Sequence, residues 1–128
     1  MTDAKNVQYW QSLRFHDADR MIAFLEAIGF TEHALYRGED PATVVHAEYV
    51  WEGGGGLMFG TAGDDPGELA GHGACYLVTL DPDAIFERAV GAGATVLRPM
   101  VDQDYGGRGG TVRDPEGNQW SFGDYQPG

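Results

Sequence analysis

Basic residues are scarce in this chain. Eight lysines and arginines stand against twenty aspartates and glutamates, a formal charge of −12. That balance disfavours nucleic acid and anionic membrane as partners, because both require a positive face. Cysteine is scarcer still: Cys75 stands alone, so neither an internal disulfide nor a thiolate metal cluster is available. Its apolar strand setting suits a buried structural thiol better than a nucleophile. No apolar run is long enough to span a bilayer, and the polar start MTDAKNVQ is not a secretory signal. The simplest expectation is a cytoplasmic protein. Phosphate-loop chemistry is missing too, since neither the GGGG run nor GGRGG is followed by the required Lys-Ser/Thr. No nucleophile elbow or Ser-His-Asp order stands out.

What is present is enough for one folded domain. The 128 residues are 42% hydrophobic and 12% aromatic, a composition that builds a core rather than a disordered chain. Its organisation is a repeat. Asp17-x-Asp19 opens one helical pattern and Asp81-x-Asp83 another, 64 residues on (81 less 17). At the same offset Leu13 matches Leu77 and Gly29 matches Gly93. The aspartates suit helix caps, and the glycines suit the left-handed residue after a helix. Met21, Ile22, Leu25 and Ile28 form one apolar stripe; Ile85, Phe86, Ala89 and Val90 form the other.

Strand-like runs surround these helices. They are expected at about 8–15, 31–36, 43–51 and 57–61, then at about 72–79, 95–101, 110–113 and 119–125. Asp114-Pro115-Glu116-Gly117-Asn118 is a turn by composition, because Pro sets φ early while Gly and Asn accept a left-handed conformation late. The expected fold is therefore α+β, βαβββ twice. Module one covers about 7–62, a glycine-rich linker about 63–71, and module two about 72–125.

The doubled βαβββ order and the DPEGNQWSF ending, preceded by Tyr105-Gly106-x-Arg108, resemble the vicinal oxygen chelate superfamily. That superfamily comprises glyoxalases, extradiol dioxygenases and bleomycin-resistance proteins; the small single-domain members are the most similar. The resemblance covers nearly the whole chain. It implies a curved mixed sheet around a cavity, helices on the outer faces, a small-molecule ligand and a homodimer. In metal-dependent members a His, Gln or Glu stands on each of four cavity strands. Carried over residue by residue, those places are Trp10, Met58, Ala74 and Ser121. Indole, methyl, thioether and a neutral hydroxyl are poor ligands for a hard or borderline divalent ion. The sequence-level expectation is no metal and no cofactor.

Strand periodicity identifies what replaces the ligands. Leu13 and Phe15 suit the helix side, which turns Trp10, Ser12 and Arg14 to the other face. Cys75 and Leu77 do the same for His72, Ala74, Tyr76 and Val78. Trp120 and Phe122 read as core, leaving Ser121 towards the cavity. Trp10, Ser12, Met58, Tyr76 and Ser121 then compose a pocket for a flat or aromatic guest. Either Tyr49 and Trp51 or His46 and Glu48 add to it, depending on an unresolved strand face. Tyr105 and Arg108, among the glycines of 106–110, are candidates for a lid, and Arg108 could equally pair with Asp102, Asp104 or Asp114.

The favoured expectation is a metal-independent binding protein that sequesters an aromatic antibiotic or toxic compound, cationic ones included. The acidic field would attract such a cation. One alternative is a glyoxalase-like lyase, isomerase or dioxygenase using Fe, Mn, Ni or Zn through His46, Glu48 and His72. Another is metal-free acid–base chemistry by His72 or Glu48.

Overall fold

The computed structural model describes residues 6–63, 70–104 and 106–126. They fall into two compact units, one up to Gly71 and one from His72. Most of the expected linker, 64–69, lies outside the described residues.

The first unit runs β1 (Trp10–Phe15), α1 (Ala18–Ile28), β2 (Phe30–Arg37), β3 (Val44–Trp51) and β4 (Gly56–Thr61). Its sheet has the order β1-β4-β3-β2, with β1 parallel to β4 and the other neighbours antiparallel. Asp17 begins α1, its carboxylate accepting the Arg20 N–H at 3.1 Å. Gly29 ends it at φ 117°, a left-handed conformation that glycine adopts without penalty. The buried stripe is Ala18, Met21, Phe24, Leu25 and Ile28. Phe24 thus takes the core place expected of Ile22, which is only half-buried. Leu13, Phe15, Ala47, Tyr49, Leu57 and Phe59 complete this core. Phe59 packs against Phe15 and Tyr49 at ring separations of 4.9 and 5.5 Å. Burying each large apolar side chain of this kind contributes roughly 2–3 kcal/mol.

The second unit repeats the plan: β5 (Ala74–Val78), α2 (Pro82–Gly91), β6 (Thr95–Asp102), β7 (Arg108–Arg113) and β8 (Gln119–Gly123). The sheet order is β5-β8-β7-β6, with β5 parallel to β8. Asp81 caps α2 by accepting the Ala84 N–H at 3.2 Å, and Pro82 occupies its first turn. The repeat extends to register. Ser12 pairs with Met58 and Leu13 with Phe59 in the first sheet; Tyr76 pairs with Ser121 and Leu77 with Phe122 in the second.

The 114–118 turn is held by Asp114. One carboxylate oxygen accepts the backbone N–H of Glu116 at 2.7 Å and of Asn118 at 3.1 Å, while the other accepts the Trp120 indole N–H at 2.8 Å. Asn118 fixes the approach to β5, its carbonyl oxygen accepting the Gly73 N–H at 2.8 Å. This ending is therefore a turn-and-core device. Its conspicuous residues serve the fold, while Gln119 and Ser121 alternate with the buried Trp120 and Phe122 and face away from the helix.

Candidate functional site

One face of each sheet is packed against its helix, so any site must be built on the other. In the first unit that open face carries Trp10, Ser12 and Arg14 on β1, with Met58 between Gly56 and Gly60 on β4. The indole of Trp10 covers Gly56, and the Arg14 guanidinium lies over Gly60, where added Cβ atoms would collide with them. Trp10 also donates its indole N–H to the Val7 carbonyl at 3.3 Å. Long side chains thus lie across β4 and flank the Ser12–Met58 pair.

The face of β3 left open by the sequence is now fixed. Ala47, Tyr49 and Trp51 are buried on the helix side, where Trp51 packs on Phe30 at 5.4 Å and over Gly29. Trp51 is therefore a core residue, and its expected place in a pocket is corrected. Burial, with the charges of Glu32 and Glu26 beside it, raises the pKa of Tyr49 far above the usual phenol range. His46 and Glu48 occupy the open face, with Glu48 opposite Met58. The His46 Nε2 lies 2.8 Å from Glu48 Oε2, and His33 Nε2 lies 3.8 Å from the other carboxylate oxygen. Tyr36 stacks on the His46 ring at 6.3 Å.

In the second unit the open face contains a cleft of about 270 Å³. A single row of paired residues runs across all four strands of the sheet there. Arg98 on β6 faces Thr111 on β7, Thr111 faces Ser121 on β8, and Ser121 faces Tyr76 on β5. All four line the cleft, with Val101, Gln103 and Tyr125 at its sides. Thr111 Oγ1 and Ser121 Oγ are 2.8 Å apart. Tyr76 lies over Gly123 and donates its hydroxyl to the Tyr125 carbonyl at 2.7 Å. Glycine at 123 lets the ring lie there, since a Cβ would stand 2.5 Å from the phenol oxygen and displace it.

Arg108 lines this cleft but is committed elsewhere. Its guanidinium donates two hydrogen bonds to Asp83 at 2.8 and 3.1 Å and a longer one to Asp102 at 3.4 Å. Those bonds hold the Asp83 carboxyl below the usual carboxylate range. A pairing with Asp102 was foreseen; the main partner, on the first turn of α2, was not. Arg108 and Gly109 also belong to β7, so the glycine-rich stretch is shorter than expected and Arg108 is a strand residue rather than part of a lid. Tyr105 lies outside the described residues.

His72 is exposed just before β5 and is not part of the cleft lining. Cys75 faces the helix side, where burial and the nearby Asp114 charge push its thiol up to about 11. It is a poor nucleophile at neutral pH.

A metal fits this donor set badly. Trp10 has no free pair to give, Met58 offers only a thioether, Ala74 offers nothing, and the Ser121 hydroxyl is bonded to Thr111. Among the described residues, no group of three or more His, Cys, Asp or Glu is arranged to hold an ion.

Sequence reasoning missed Arg98, Thr111, Gln103 and Tyr125. Thr111 was within reach: a turn pairing Arg113 with Gln119 must also pair Thr111 with Ser121. Arg98 was not, because β6 is irregular on both sides of it.

Known proteins share this architecture. TioX from Micromonospora sp. ML1 superposes with a TM-score of 0.74 at 28% identity, covering 94% of this chain and all of its own. A glyoxalase/bleomycin resistance protein from Streptomyces sp. CB03234 gives 0.67 at 22% identity, covering 90% and 97%. Uncharacterized proteins of Mycobacterium bovis and Mycobacterium tuberculosis are 50% identical over 48 residues, 38% of this chain. That match spans about a third of their length, 32% and 28% respectively. The profile of the Glyoxalase/Bleomycin resistance protein/Dioxygenase superfamily matches residues 9–122, and the chain belongs to that superfamily.

Proposed function

We propose that this protein binds a small, flat organic molecule without using a metal, and that the cleft on the second sheet is where it does so. One observation carries the reading: the Arg98–Thr111–Ser121–Tyr76 row, lining a cleft of about 270 Å³. That volume sits at the low end for ligand pockets, so the guest is small. The tyrosine ring offers a stacking surface and the hydroxyls fix orientation. Among the described residues lining the cleft there is no histidine, cysteine or carboxylate. Sequestration fits this lining better than turnover. The guest class suggested by the family resemblance, an antibiotic or other toxic compound, is part of the proposal, as is a homodimer acting in the cytoplasm. No described helix is long and apolar enough to cross a membrane. Analytical ultracentrifugation tests the dimer.

Titration of ¹⁵N-labelled protein with a library of aromatic fragments tests the binding. Shifts should cluster on Gly109, Thr111, Ser121 and Tyr125. Shifts confined to the first unit would move the site to the Trp10 face.

A second reading rests on the His46–Glu48 pair. A carboxylate 2.8 Å from an imidazole fixes the orientation of the ring. This arrangement could accept a proton from a carbon acid held on the first open face. Solvent-deuterium exchange into such compounds, abolished by His46→Gln, tests it.

A further inference from the structure

Resting on the cleft reading above, we propose that the guest is an anion, a flat carboxylic acid whose carboxylate is received by Arg98 and the Thr111–Ser121 hydroxyl pair. This reverses the charge expected from the −12 balance of the whole chain. The overall field governs long-range attraction, but recognition depends on the groups that touch the ligand.

Two arginines line the cleft, and they differ in what they have left to offer. Arg108 is engaged by Asp83 and Asp102, so its charge is largely matched. The Arg98 guanidinium makes no hydrogen bond or ion pair among the described residues. It stands opposite Thr111 in the sheet, and no carboxylate is among the described lining. The lining therefore presents one uncommitted cation and no matching anion.

The hydroxyl pair completes the pattern by counting. Thr111 and Ser121 each carry one O–H, and the 2.8 Å contact between them consumes one. The other O–H remains free to donate, whichever way the internal bond runs. Thr111 is buried and Ser121 half-buried, so this donor is fixed by the sheet. A planar fork of N–H donors beside one O–H matches a carboxylate better than an amine, which needs acceptors. Tyr76, at the far end of the row, then faces the body of the ligand. Its phenol donates to the Tyr125 carbonyl, which holds the ring in place beside the cleft.

Three probes of one shape test this: 1-naphthoate, 1-naphthamide and 1-naphthylmethylammonium. Saturation-transfer NMR and calorimetry would be run on the wild type, on Arg98→Gln and on the Thr111→Val/Ser121→Ala double variant. Thermal melting would confirm that each variant folds. The expected result is naphthoate binding about tenfold or more tighter than the amide, the margin of a charge-assisted bond over a neutral one. Arg98→Gln should bring the two within about twofold, with ring binding retained, and the double variant should weaken naphthoate alone. Equal binding of all three probes by the wild type overturns the anion proposal and leaves the cleft reading standing. A carboxylate preference that survives Arg98→Gln overturns it as well. If none of the probes binds, both fail together.

Discussion

The Asp114 carboxylate accepts the indole N–H of Trp120 at 2.8 Å while its other oxygen holds two backbone amides of the turn between them. Both residues are buried, Trp120 completely. Removing the carboxylate strands an indole N–H and loosens a turn that sets the register of β7 on β8. Asp114→Ala should cost roughly 3 kcal/mol, the scale of hydrogen bonds to a charged group. For a chain of this size that is a fall of about 10 °C in melting temperature. Asp114→Asn keeps one acceptor oxygen and should lose less. Differential scanning calorimetry of the two variants checks the order.

Register is also where sequence was most and least informative. The turn residues 114–118 and the alternation of Trp120-Ser121-Phe122 gave the open face of β8 directly, and Leu13 and Phe15 did the same for β1. β3 was ambiguous because VVHAEYVW places large apolar residues on both faces. Only pairing with β2 and β4 shows Trp51 in the core and Glu48 outside. Arg98 was hidden for a different reason. Its strand is irregular between Val96 and Arg98 and again before Val101, so parity counted from Thr95 fails. The Arg108–Asp83 pair spans 25 positions, beyond any local pattern. Local chemistry was legible, whereas long-range pairing was not.

That ion pair makes a pH prediction. Asp83 is stabilised in its charged form by Arg108, so its folded pKa lies below the unfolded value of about 4. A depressed carboxylate pKa contributes stability above the unfolded value and loses it as pH falls through the folded one. Both groups are substantially exposed, so the effect is small and sensitive to salt. Asp83→Asn should lower the melting temperature slightly at pH 7 and at low salt. The difference from wild type should close once pH falls below the folded pKa of Asp83, and it should shrink in molar salt. Melts at three pH values and two ionic strengths measure it.

Cys75 should be slow to react. Its thiol is pushed up to about 11, first by burial and then by the Asp114 charge. At pH 7 the thiolate is a minute fraction, roughly one part in 10⁴ by the tenfold change per pH unit. Labelling by a small disulfide reagent should accelerate about tenfold per unit between pH 7 and 9 in the folded protein. Asp114→Asn should speed it by removing the neighbouring charge. A rate at pH 7 matching that of a free thiol would mean that β5 opens readily.

The cleft itself can be closed from within the backbone. Gly123 lies under Tyr76, and a methyl group there would meet the phenol oxygen at 2.5 Å and the Arg108 carbonyl at 3.1 Å. The first neighbour ends an exposed side chain that can swing away; the second is strand backbone and yields less. Gly123→Ala should therefore fold, with Tyr76 displaced from the Tyr125 carbonyl and into the space a ligand would use. Binding of the naphthalene probes should fall at least about tenfold, the effect of losing an aromatic contact together with pocket volume. Tyr76→Phe separates the two causes. It keeps the ring and removes only the hydroxyl, so affinity should hold within about threefold. If Gly123→Ala leaves probe affinity intact while Tyr76→Phe abolishes it, the phenol itself touches the ligand and the ring is not the stacking surface.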